Sequence, residues 1–136
     1  MGKWMVNRFL LLVMISCLAS PVDAIDPGER LFGLHCAVCH GEKARGDGPM
    51  AMALNIKTSD LTRLKEHNQG VFPLSQTIAQ IDGRRPLTAH GGPMPVYGWF
   101  FDGPPAVVSD PVEAPVETTE AIAKLVMWLQ SIQSED

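Results

Sequence analysis

The pentapeptide Cys36-Ala37-Val38-Cys39-His40 constrains this chain more than any other stretch: two thiols stand two residues apart, and an imidazole follows the second directly. Four kinds of chemistry use such a set. A structural disulfide would close so small a loop that it constrains little of the unfolded chain, and it gives His40 no role. A thioredoxin-like redox pair needs a strand before it and alternating strands and helices after it, and neither pattern is visible. A zinc site needs a fourth ligand from His35, His67 or His90, and no second Cys or His pair stands at finger-like spacing. The fourth reading is covalent haem attachment, in which two thiols add to the two vinyl groups of one porphyrin and the next residue offers its imidazole to the iron.

The compartment bears on the choice. Residues 1–24 read as a secretory signal peptide: Lys3 and Arg8 precede or border an apolar run from Phe9 to Ile15, and Val22-Asp23-Ala24 offers short side chains at the cleavage position. The run is too short for a bilayer span and soon meets Ser20-Pro21. Retention as a membrane anchor is the alternative, and Cys17 lies in a poor context for lipid attachment. Cleavage after Ala24 removes two positive charges and one negative, so the formal −4 becomes −5 over the remaining 112 residues. That acidity argues against a nucleic-acid partner. It also leaves Cys36 and Cys39 as the mature chain's two cysteines, in a compartment where thiols oxidise. In an exported chain, haem attachment is the reading that uses all three residues of the motif.

The flanks are those of a helical domain. Asp26 is placed to cap a helix, with Pro27 at its first position and Glu29 three residues after the cap. Leu31, Phe32 and Leu34 carry its apolar face toward Cys36, and Gly41 ends it before the Gly46-Asp47-Gly48-Pro49 loop. Near the C-terminus, Thr118-Thr119-Glu120 opens a second helix with Ile122, Leu125, Val126, Leu129 and Ile132 at helical spacing and Trp128 beside them. Between them, residues 102–117 hold four prolines without helical period and read as a surface loop or extended connection. There is no internal repeat and no second CxxCH, which gives residues 25–136 one domain and one haem.

In order, Gly28-x-x-x-Phe32, Cys36-Ala37-Val38-Cys39-His40-Gly41, Gly46-Asp47-Gly48-Pro49, Gly92-Pro93-Met94-Pro95 and Leu125-Val126-Met127-Trp128-Leu129 resemble a bacterial monohaem class I cytochrome c over the whole mature chain. The resemblance implies a small all-α fold whose first and last helices cross. In it Gly28 lets the backbones approach, and Phe32 packs near Leu125 and Trp128. Asp60-Leu61-Thr62 would start one short helix, and Phe72-Pro73 another over Leu74 to Ile81. One departure is Lys57-Thr58-Ser59, where such sequences usually carry prolines. The resemblance also implies that the Pro49 carbonyl accepts a hydrogen bond from the His40 ring.

The sixth iron ligand decides what such a haem can do. Met1, Met5 and Met14 leave with the signal, Met127 belongs to the last helix, and Met50 and Met52 are expected against the porphyrin or in the core. Met94 stands in a stiff loop of two glycines and two prolines, able to hold a thioether still, and it matches the family's axial methionine. His90 is the alternative ligand, and an open position the other. Arg84 or Arg85 would pair with a haem propionate or lie on a solvated turn, and Trp99, Phe100 and Phe101 would form a hydrophobic wall near the haem or under the neighbouring loop. With His40 and Met94 as metal ligands and Cys36 and Cys39 as attachment points, the site leaves no position for oxygen or peroxide, and the soft sulfur favours the ferrous state. The implied protein is a periplasmic one-electron carrier, not an enzyme, with one covalent haem c. Its partners are redox proteins docking transiently through small interfaces. A haem enzyme or gas sensor with an open iron, or a subunit of a larger dehydrogenase complex, are the alternatives.

Overall fold

The computed structural model describes residues 24–84 and 94–134; the signal segment, Arg85 and His90 lie outside the described residues. Helix α1 (Pro27–His35) starts as its sequence dictates. The Asp26 carboxylate accepts from the Gly28 and Glu29 backbone N–H groups, and Pro27 occupies the first turn, where no N–H is needed. The helix does not run unbroken to Gly41. It breaks at Cys36, resumes as α2 (Ala37–His40) and ends at Gly41, whose φ of 79° is the left-handed region that favours glycine. Leu34, expected on the buried face, is exposed, whereas Phe32 is buried.

Three short 3-10 turns follow, Ala51–Ala53, Leu61–Arg63 and Glu66–Asn68, the second capped by Asp60. Helix α3 (Leu74–Asp82) begins after Pro73, buries Leu74, Ile78 and Ile81, and ends on Gly83 in the left-handed conformation. The proline-rich connection is more ordered than expected. Strands β1 (Pro105–Val108) and β2 (Val116–Thr119) pair antiparallel, with Val108 opposite Val116 and Pro105 opposite Thr119. The β-branched residues of both strands suit a pleated pair, and Pro105 is tolerated because it sits at a strand's first position. Helix α4 (Glu120–Ser131) then starts at Thr119, whose hydroxyl accepts from the Ile122 N–H.

Helices α1 and α4 pack on each other, with α3 and the hairpin also against α4. Phe32, Leu74, Ile78, Ile122, Leu125 and Val126 are the largest fully buried side chains. The crossing is tightest at Gly28, where a Cβ atom would lie 2.2 Å from the Lys124 carbonyl oxygen and 2.6 Å from the Trp128 Cβ. Phe32 and Trp128 meet beside it with ring centroids 4.7 Å apart. Gly28→Ala must therefore push backbone from backbone. We expect it to cost about 3 kcal/mol, at the upper end for overpacking, and to lower the Tm of the holoprotein by roughly 10–20 °C; an unchanged melt would contradict the close crossing. Among the described residues, no helix is long and apolar enough to cross a membrane.

Candidate haem site

The CxxCH segment sits where α1 gives way to α2, so backbone rather than side chain fixes its path. The Cys36 N–H donates to the Phe32 carbonyl, and the Cys39 and His40 N–H groups donate to the Cys36 carbonyl. The loop that follows folds back on it: Gly46, Gly48 and Met50 donate their N–H groups to the carbonyls of His40, Cys39 and Val38. Gly48 is required there, because a Cβ would fall 2.6 Å from the Ala37 and Cys39 carbonyl oxygens. The small residues of the loop thus permit direct backbone contact with the motif.

His40 is buried, and its Nδ1 lies 3.0 Å from the Ser59 carbonyl oxygen. A carbonyl can only accept, so Nδ1 carries the proton and Nε2 keeps its lone pair for a metal. The expected partner, the Pro49 carbonyl, is not the acceptor. Ser59, in the very segment that departs from the family's prolines, takes that place. Burial pushes the imidazole below its ordinary pKa, and the Ser59 bond acts in the opposite direction. The net effect keeps the ring neutral and the Nε2 lone pair available near pH 7.

Cys36 and Cys39 are free thiols, Cys36 buried and Cys39 partly so. Burial, and secondly the neighbouring Cys39, push the Cys36 thiol up to about 11. Tyr97 lies close enough to feel both thiols, yet burial is the larger cause that raises its phenol above the ordinary value.

Met94 is partly buried and packs against the core. By contrast Met52 is 95% exposed and Met50 45% exposed, so of the two expected places, against the porphyrin or in the core, the core is not the one they take. Met127 is exposed on α4. Arg84 is held by the Asp82 carboxylate and donates to the Glu117 carbonyl. Of the three consecutive aromatics, Phe101 is buried, whereas Trp99 and Phe100 are largely exposed. His35, absent from any sequence-based role except a zinc alternative, has ring contacts with Tyr97, Phe100 and Phe101. Among the described residues, no cluster of three or more His, Cys, Asp or Glu could hold a bare metal ion.

These residues fit a haem. Two unpaired thiols and an imidazole with a free Nε2 are the donor set for attachment and ligation. Leu34, Val38, Met50, Met52 and Ile56, on the motif helices and the loop after them, expose apolar side chains around the motif in sequence. The Thr58 hydroxyl, next to Ser59, is buried without a partner, which suits a site completed by a group bearing acceptor oxygens.

Comparison with curated proteins and with solved structures gives no match. The family model described as Cytochrome c matches residues 25–133, and with CxxCH at residues 36–40 on a mostly helical class I fold, this chain belongs to the cytochrome c family and carries covalently attached haem c.

Proposed function

We propose that this cytochrome c is a periplasmic one-electron carrier, exported by a signal cleaved after Ala24, with its haem joined to Cys36 and Cys39 and its iron held by His40 and Met94. The haem supplies the reversible one-electron couple; the protein's part is to hold it. Cys36 and Cys39 tether the ring by thioether bonds, each formed by adding S–H across a vinyl double bond. His40 presents Nε2 while the Ser59 carbonyl fixes ring orientation and strengthens the donor. Met94 offers a soft sulfur that favours the ferrous form, and the core side chains exclude water, so little reorganises when the charge changes.

The observation that carries this reading is the buried His40 of the CxxCH motif, anchored through Nδ1 by the Ser59 carbonyl so that Nε2 is free to ligate, with a partly buried Met94 on the hydrophobic core as the candidate second ligand. With His40 and Met94 both holding the iron, electron transfer would be the chemistry left to it. Redox proteins that dock transiently are the partners, and no nucleic acid is among them, given the formal charge of −5 left once residues 1–24 are removed. Ferrous holoprotein exposed to carbon monoxide at neutral pH should change its spectrum little. Fast and complete binding would contradict the carrier reading and favour an enzyme or sensor.

A further inference from the structure

Met94 emerges from a segment that the structure locks from its C-terminal side. The Tyr97 N–H donates to the Ile81 carbonyl at 2.8 Å, in the last turn of α3. A Cβ on Gly98 would stand 2.3 Å from the Asp82 carbonyl oxygen, and one on Gly83 would stand 2.3 Å from a Val96 methyl. Residues 96–98 are therefore pressed onto the end of α3. The Tyr97 side chain reaches in another direction: its hydroxyl donates to the His35 carbonyl at 2.9 Å, at the last residue of α1 before Cys36. Its ring stacks on Phe101 with centroids 5.7 Å apart and meets His35 edge-on at 6.2 Å. The Phe100 and Phe101 N–H groups donate back to the Tyr97 carbonyl, closing the turn behind it. One residue thus ties together α3, the turn after Met94, and the helix end that leads into CxxCH.

We propose that Tyr97 is a positioning residue for the sixth ligand: its hydroxyl latches the Met94 segment to the helix end from which Cys36, Cys39 and His40 follow. This rests on the reading of Met94 as the axial ligand. Release of a methionine from iron requires its segment to lift, and lifting breaks the Tyr97–His35 hydrogen bond. The latch therefore lowers the population of the released state by the net worth of that bond. Because an outside ligand reaches the iron only in the released state, its apparent affinity reports that population. The ring contacts of Tyr97 survive in phenylalanine; the latch does not.

The experiment titrates ferric holoprotein with imidazole and follows the weak sulfur-to-iron band at the red edge of the spectrum. Tyr97→Phe should keep the band in the absence of imidazole, and half-displacement should come at about one-fifth of the wild-type concentration. Gln133→Ala is the control, since Gln133 ties the C-terminal end of α4 to the Leu61 carbonyl, in a part of the fold with no tie to the Tyr97 latch. An unchanged half-displacement in Tyr97→Phe overturns the proposal. So does a shift no larger than that of Gln133→Ala at equal loss of thermal stability, because the role is then only global. A wild-type protein lacking the band overturns the Met94 reading and Tyr97's role with it; a wild-type band with an unresponsive Tyr97→Phe overturns the latch alone.

Discussion

Replacing Cys36 and Cys39 together by alanine should abolish covalent haem and, with it, the folded domain. A denaturing gel of the wild-type protein stained for haem should show a band at the chain's mass, and the double variant should show none. The reason is the apolar surface that lies outside the protein's own small core. Among the described residues, fourteen hydrophobic residues are buried, while Leu34, Met52, Trp99 and Phe100 are mostly exposed. A domain near 110 residues with that much uncovered apolar surface depends on the group that covers it. A haem bound only to the folded state stabilises by mass action, and covalent attachment makes its effective concentration very high. The haem-free double variant should accordingly melt without a cooperative transition. A haem-stained band surviving in that variant would refute the attachment through these thiols, and a cooperative melt without haem would show that the polypeptide core suffices.

Met94→Ala should leave the covalent haem in place and change what the iron can do. The sulfur-to-iron band should vanish, ferrous protein should now bind carbon monoxide, and the reduction potential should fall by roughly 0.2 V, a fraction of the ~0.8 V range that axial ligands command. The fall follows from sign: a thioether donates weakly and favours Fe(II), so replacing it with water or a harder ligand favours Fe(III). Met94 packs half-buried on the core, and truncation there also removes packing, so a modest loss of thermal stability should accompany the change. An unchanged spectrum and potential would move the ligand to another residue.

The helix ends and the motif were legible in the sequence because their physics is local. Asp26 and Pro27 announce α1, Thr119 and Glu120 announce α4, and the spacing of Ile122, Leu125, Val126 and Leu129 marks its buried face, as the structure bears out. Gly28 was also legible, since a small residue in the first helix of this family marks the crossing. Long-range partners were not. The Ser59 carbonyl lies 19 residues from His40 and the His35 carbonyl 62 residues from Tyr97, and a backbone acceptor leaves no trace in residue identity. Resemblance pointed instead to Pro49 as the acceptor, and the substituted segment Lys57-Thr58-Ser59 was the one hint that the loop differs.

The hairpin was missed for another reason. Val107 and Val108, then Val116, Thr118 and Thr119, carry the β-branched signal, but prolines between and before them read as a connection. Those prolines fall at the first position of β1 and in the intervening turn, where no ladder N–H is lost. The break at Cys36 likewise has no sequence mark, because cysteine neither favours nor forbids the backbone that ends α1 there.

The most direct test of the account is an optical spectrum of the wild-type holoprotein in its ferric state at neutral pH. A weak sulfur-to-iron band at the red edge, lost on reduction, is the result expected of iron held between His40 and Met94. Ferric haem without that band, in its high-spin form with an open or water-filled position, would contradict it.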